Sequence, residues 1–270
     1  KRRGFGDSSD VGSGKTLTAL SVASELINYS VRTKLIIPNK GILIMLPTEK
    51  LYDTWKIEID KHTKKFNVIT QNSMGKFSSV VLHNSIVITT MGRMRDNPTT
   101  IPWLLVIIDE CLTVQNKEAL QTEEAWRQSS YSYFGIVMLS ATFFRSRFEK
   151  MLYMISMLDT QIPEEQDYLD TILSESMVCN IGEKERKWIT EIHKHKMNEH
   201  DKELYDKIVT KHTDIGYEKT YHLLNKFITE NVDYVKLFQN VITRIRKERK
   251  KSRCLIYTKS SHEADMIAKS

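Results

Sequence analysis

The chain has 270 residues, of which 40% are hydrophobic and 27% charged, enough for a full core in one large domain or two smaller ones. Lys and Arg number 40 against 34 Asp and Glu, so the net charge is +6 and the pI is near 9.0, which fits either a polyanionic partner or a solvated surface with a lysine excess. No apolar run approaches the ~18 residues of a membrane span, no signal peptide is visible, and Cys111, Cys179 and Cys254 are too scattered for a disulfide framework or a metal motif, which points to a reducing intracellular compartment.

The first feature in chain order is Ser9-Asp10-Val11-Gly12-Ser13-Gly14-Lys15-Thr16, which reads as a phosphate-binding loop. A Gly-x-Gly turn exposes consecutive backbone N–H groups, Lys15 reaches β- and γ-phosphates, and the Thr16 hydroxyl is a Mg²⁺ ligand. The strict pattern has Gly at position 9, where this chain has Ser9, and taken alone the segment also fits an ordinary glycine-rich turn. A helix follows over Leu17–Leu26, its N-terminus favourable for an anion.

Four apolar runs then read as buried strands: 41–47, 85–90, 104–110 and 134–142, with a shorter strand at 67–70 and a helix at 49–64 whose Leu51, Trp55 and Ile59 share a face. Continuous apolar strands alternating with helices mean an α/β fold, a parallel sheet covered on both faces, whose ligand lies at the carboxyl ends of the strands. The polar endings fall there: Pro47-Thr48, Thr89-Thr90, Asp109-Glu110 and Ser140-Ala141-Thr142. A helix at 148–158 closes this unit.

Residues 160–250 are richer in Lys, Glu and His. Helices are expected at 199–211 and 217–229, an edge strand at 187–195, and a basic helix end at 244–251 that is either a solvated face or a phosphate contact. A new buried strand at 253–258 precedes a helix opening at 260–265. The chain starts without Met and stops inside that helix, so a piece of a longer protein is expected. The histidines form no ligand pattern, and Trp55 and Trp103 read as core.

After a phosphate loop, Asp109 fits a Mg²⁺ ligand and Glu110 a general base that polarises water, although two acids alone also fit a strand-end turn. Ser140 and Thr142 supply hydroxyls that can bond to those acids, or form a simple Ser/Thr turn.

The order Gly12-Ser13-Gly14-Lys15-Thr16, Leu46-Pro47-Thr48, Ile88-Thr89-Thr90, Asp109-Glu110, Ser140-Ala141-Thr142 resembles the superfamily-two helicases and translocases, and within them the Swi/Snf-type branch. The approach Gly4–Asp10, the spacing Pro47, Leu51, Trp55, the residue Asn116, the helix 149–158, Lys202-Glu203-Leu204-Tyr205 and the strand Cys254–Thr258 resemble further segments of that branch. Compact enzymes of this kind also occur in large DNA viruses.

The resemblance implies a RecA-like ATP-binding lobe over 1–158, a helical linker or insertion over 159–250, and the beginning of a second RecA-like lobe over 251–270. It implies an ATP-dependent translocase or helicase with ATP and Mg²⁺ as cofactors. Gly12, Ser13, Gly14, Lys15 and Thr16 would hold the nucleotide, Thr16 and Asp109 the metal, Lys15 and Glu110 would act in catalysis, and Ser140 and Thr142 in coupling. It further implies sequence-independent, salt-dependent contacts to double-stranded DNA, with RNA as the alternative, from Pro47, Thr48, Thr89, Thr90, Arg93, Tyr257, Thr258 and Ser260. RNA polymerase or other transcription or replication machinery is an implied partner, a membrane is not, and the implied location is a nucleus, a viral factory or a virion.

Two departures qualify this. The acids are followed by Cys111-Leu112 where the family has a small residue and then His, so the polar link from His to the third motif is lost. The family's later motifs, with the second lobe's arginine finger, fall outside these residues, so the chain alone is expected to bind ATP weakly and hydrolyse it poorly. The rival reading is an ATPase-like lobe kept as a non-catalytic docking module.

Overall fold

The computed structural model describes residues 4–35, 41–63, 66–71, 84–144, 147–159, 165–180, 197–211, 216–231 and 234–248, with residues 257, 264, 265 and 268. The chain divides into two compact units, Lys1–Arg186 and Lys187–Ser270.

The first unit is built on a seven-stranded sheet of order β3-β4-β2-β5-β6-β1-β7. Its strands are β1 (Gly4–Asp7), β2 (Ile42–Leu46), β3 (Asn67–Thr70), β4 (Ser85–Thr90), β5 (Leu105–Asp109), β6 (Ile136–Leu139) and β7 (Met177–Val178), and every pairing between them is parallel. The expected RecA-like parallel sheet flanked by helices is the architecture found.

Alternation along the strands explains the two covered faces. Ile42, Ile44, Leu46, Ile86, Ile88, Leu105, Ile107, Val137 and Leu139 fill one apolar cluster, with α1 (Lys15–Arg32) and α2 (Tyr52–His62) packed on it. Their intervening neighbours Leu43, Met45, Val87, Val106, Ile108, Ile136 and Met138 fill the other, with α3 (Met91–Asp96), α4 (Leu120–Ser130) and α5 (Phe148–Ile155). In a parallel sheet both faces are buried, so the sequence shows unbroken apolar runs in place of alternation.

Strand β1 carries no such run, because the β6 backbone leaves no room for a side chain at Gly4. A Cβ on Gly4 would lie 2.1 Å from the Ile136 carbonyl oxygen, and one on Gly6 would lie 2.5 Å from the Met177 sulfur. Glycine at position 4 is a close-approach requirement against the β6 backbone, whereas the Met177 side chain opposite Gly6 can give way. The expected helix at 49–64 is also modified: a 3₁₀ turn at Glu49–Leu51 precedes α2. Beyond α5, a helix α6 (Leu169–Ser176) returns the chain to β7 beside β1, so the sheet extends past residue 158.

Register brings the strand ends level. Leu46 pairs with Thr90, Met45 with Ile108, Asp109 with Leu139, and Leu139 with Asp7. The polar residues that follow β1, β2, β4, β5 and β6 therefore emerge at one edge of the sheet.

In the second unit the described residues form helices Glu199–Thr210, Tyr217–Asn231 and Tyr234–Glu248. Asn198 caps the first, its side chain accepting the Asp201 N–H at 2.8 Å, and Tyr205 stacks near Phe227 with ring centroids 6.4 Å apart. Arg244, Arg246 and Lys247 of the basic helix end are exposed. The expected strand at 187–195 lies outside the described residues, and of the expected strand at 253–258 only Tyr257 lies within them, where it is exposed.

Candidate nucleotide-binding site

Strand β1 ends at buried Asp7, whose Oδ1 accepts the Ser9 N–H at 3.0 Å. The chain then turns through Asp10–Gly14 into α1. Gly12 has φ +79° and Gly14 φ +95°, and a Cβ at either would meet nothing within 4 Å, so glycine serves backbone conformation rather than packing. Gly14 is the N-cap residue of α1, and the first turn carries no acidic side chain to offset the helix dipole. The free N–H groups of that turn suit a phosphate.

The Lys15 ammonium donates to the Ser9 carbonyl at 2.7 Å and the Asp10 carbonyl at 2.9 Å, lying back across its own loop. Thr16 follows, half-buried at the start of α1. The outer side of the loop is stitched to the segment after β7. Ser8 N donates to the Val178 carbonyl at 2.8 Å, Asp10 N to the Asn180 carbonyl at 3.1 Å, and Asn180 N to Ser9 Oγ at 2.9 Å. Ser9, where the strict pattern has glycine, thus uses its hydroxyl as an anchor.

Asp109 is the last residue of β5. Its Oδ1 accepts the Glu110 N–H at 3.0 Å and its Oδ2 accepts the indole N–H of Trp55 at 2.8 Å. Burial pushes the Asp109 carboxyl above the usual carboxylate range, opposed by those two hydrogen bonds and by the positive charge of Lys15. Glu110 adopts left-handed backbone, φ 49° and ψ 54°, an arrangement that costs a non-glycine residue about 1–3 kcal/mol and is common at functional sites. Its carboxylate is approached by Ser140, whose Oγ lies 3.4 Å from Glu110 Oε2 and 2.9 Å from the Thr142 carbonyl. One hydroxyl proton serves only one of these acceptors at a time. The Thr142 N–H in turn donates to Ser140 Oγ at 3.2 Å.

Cys111 is buried, and burial first, then the Glu110 and Asp109 charges, pushes its thiol well above the ordinary range, so it is not a nucleophile. Leu112 is half-buried within the 3₁₀ turn Cys111–Val114 and offers no polar link.

The residues named for nucleic acid differ in what they present. Pro47 is half-buried and Thr48 exposed at the end of β2. Thr89 is fully buried, with its hydroxyl donated to the Gln71 side chain. The Thr90 hydroxyl caps α3, accepting the Arg93 N–H at 3.2 Å. Arg93, its side chain only 14% exposed, is engaged by the Glu49 carboxylate and the Gln71 carbonyl, with its guanidinium 5.8 Å from the Tyr52 ring centroid. Tyr257 is exposed, and Thr258 and Ser260 lie outside the described residues.

The edge therefore joins Lys15, Asp109, Glu110 and Ser140, with Thr16 next to Lys15 at the start of α1, while Thr89, Thr90 and Arg93 are committed to internal partners. Sequence reasoning missed Trp55, Glu49, Gln71 and Asn180. Trp55 sits on the apolar stripe with Tyr52 and Ile59, and no pattern distinguishes a core indole from one whose N–H meets a carboxylate. Both tryptophans are core as expected, Trp55 within the α2 cluster and Trp103 donating to Gln128 Oε1 at 2.8 Å.

The donor set fits a nucleotide with Mg²⁺. Thr16 and Asp109 would offer it hard oxygen ligands, and among the described residues no group of three or more His, Cys, Asp or Glu is placed to hold a metal. Mg²⁺ is commonly held by one or two protein oxygens together with substrate phosphates and water.

Residues 8–151 match the DEAD/DEAH box helicase family. The chain is 48% identical over 267 residues to a curated protein of Acanthamoeba polyphaga mimivirus named as a "putative helicase", covering 97% of this chain and 20% of that protein. It thus spans about a fifth of the length of that relative. Among solved structures, the Sulfolobus solfataricus SWI2/SNF2 ATPase core in complex with dsDNA superposes with a TM-score of 0.50 at 14% identity, over 84% of this chain and 54% of that one, a likeness of fold. No helix among the described residues is long and apolar enough to cross a membrane.

Proposed function

The chain belongs to the DEAD/DEAH box helicase family, and from that premise we propose that it is the nucleotide-binding lobe of an ATP-driven translocase acting on duplex DNA. The observation that carries the reading is the shared sheet edge, where the phosphate loop, Asp109, Glu110 and Ser140 stand together with the exposed end of β2 at Thr48. A grip on nucleic acid and a phosphoryl-transfer site on one edge is the arrangement a motor needs.

When bound, ATP supplies the phosphoryl group and Mg²⁺ neutralises charge that develops on it. The residues of this chain do the rest. The N–H groups of the loop and of the first turn of α1 cradle phosphate oxygens. Lys15 exchanges the Ser9 and Asp10 carbonyls for phosphate. Thr16 and Asp109 would hold the metal, and Glu110 would take a proton from the attacking water. Ser140 divides its proton between Glu110 and Thr142, a contact through which the third motif senses the acid.

The Swi/Snf-type branch is the finer proposal. It is supported by Pro47, Leu51 and Trp55 at the branch's spacing and by the fold shared with the archaeal core, whose complex with dsDNA makes duplex DNA the substrate to test first. Half-buried Leu112 favours the second reading, a docking lobe that has lost coupling.

The test measures ATP hydrolysis by the longer parent protein with and without duplex DNA, beside its Lys15→Ala variant. The proposal expects DNA-stimulated turnover that Lys15→Ala abolishes. Turnover that ignores DNA sinks the translocase and leaves the docking lobe, and turnover that survives Lys15→Ala sinks the site.

A further inference from the structure

Trp55 is 2% exposed, yet its one polar atom does not face the core. Nε1 donates to Asp109 Oδ2 at 2.8 Å, the ordinary length of a charge-assisted hydrogen bond. The other oxygen, Oδ1, accepts the Glu110 N–H at 3.0 Å. The carboxylate is thereby held at both ends, by the backbone of its own turn and by a side chain from α2. An indole offers a single donor and no acceptor, so this contact can only orient and stabilise the charged form.

The same helix face makes a second polar contact one turn earlier. Tyr52 Oη donates to the Gln71 carbonyl at 3.4 Å and lies 3.5 Å from a guanidinium nitrogen of Arg93. Helix α2 begins just after the exposed strand end at Thr48, through the 3₁₀ turn Glu49–Leu51. One helix therefore joins the strand end proposed to meet nucleic acid, the Tyr52–Arg93 cluster and the acid of β5. Leu112, where the family's polar link stands, offers no alternative route.

We propose that Trp55 is a positioning residue for Asp109: its indole N–H fixes the carboxylate that this site presents to a Mg²⁺-bound nucleotide, and α2 ties that carboxylate to the strand end at Pro47-Thr48. The proposal rests on the nucleotide-site reading above. Groups that orient a metal-binding side chain from behind typically change metal affinity by about 10–100-fold when removed.

The experiment titrates the 270-residue chain with a fluorescent ATP analogue, once with Mg²⁺ and once with EDTA. Wild type is compared with Trp55→Phe, Asp109→Asn and the double variant. A Trp55 replacement by 3-benzothienylalanine, which puts sulfur in place of N–H at nearly constant shape, accompanies the set and decides the matter if the Phe side chain fails to fold.

The expected result is that Trp55→Phe lowers the affinity gain given by Mg²⁺ by about 10-fold and leaves affinity in EDTA unchanged. In the Asp109→Asn background the same change has no further effect. Equal weakening with Mg²⁺ and EDTA would mean a merely structural indole, and independent, additive effects of the two substitutions would mean that Trp55 does not act through Asp109. Either overturns the proposal. A wild-type chain whose affinity is indifferent to Lys15→Ala overturns the nucleotide-site reading itself, and this one with it.

Discussion

Replacing Ser9 with glycine restores the strict loop pattern, and pattern matching alone predicts a neutral or improved loop. The structure predicts a loss. Ser9 is 4% exposed, and its hydroxyl accepts the Asn180 N–H at 2.9 Å, tying the phosphate loop to the segment that follows β7. Losing that bond costs about 0.5–1.5 kcal/mol. The added freedom of the unfolded glycine backbone costs about 0.4–1 kcal/mol more. The sum, about 1–2.5 kcal/mol, lowers the melting temperature of a unit of this size by roughly 2–10 °C. Thermal unfolding followed by circular dichroism reads this directly. Ser9→Ala isolates the hydrogen-bond share and Ser9→Thr, which keeps the hydroxyl, stays near wild type. A Ser9→Gly protein as stable as wild type refutes the argument, because the hydroxyl would then hold nothing.

Three further outcomes follow from single contacts. Gly14→Ala forces a side chain onto φ +95° with no steric neighbour to blame, so the loop conformation costs about 1–2 kcal/mol more, which denaturant unfolding reads as a loss of stability of that size. Glu49→Ala releases Arg93 from its carboxylate partner, and filter-binding against salt should show tighter duplex DNA binding with the salt slope steeper by about one. At pH 8, iodoacetamide should modify exposed Cys179 and spare Cys111, whose raised thiol stays protonated. By linkage that raised thiol also costs stability as pH climbs above the ordinary thiol range, where the unfolded chain gives up a proton the folded chain retains, and Cys111→Ala should flatten that alkaline decline.

The sheet was legible because burial on both faces writes long apolar runs at β2, β4, β5 and β6, and because a phosphate loop must keep glycine where φ is positive. Where other constraints rule, the signal vanished. Strand β1 is four residues long and opens on a glycine that the Ile136 carbonyl requires, and β7 is two residues long, so neither has a hydrophobic period to read. Helix α3 is six residues nucleated by the Thr90 cap, too short for a periodic stripe. At the site, the loop and the acids follow from residue type and order. The Trp55–Asp109 bond, the Arg93–Glu49 pair and the Ser9–Asn180 anchor do not, because each joins elements remote in sequence through one atom of a residue whose type has many commoner uses.

Calorimetric titration of the 270-residue chain with ATP and Mg²⁺ tests the central claim most directly, since everything else rests on a nucleotide seated at the Gly12–Thr16 loop. One site per chain is expected, weakened at least ~10-fold by Lys15→Ala, which removes the only Gly12–Thr16 side chain that carries a positive charge. Equal binding by wild type and Lys15→Ala, or heat that shows no saturation in either, contradicts it.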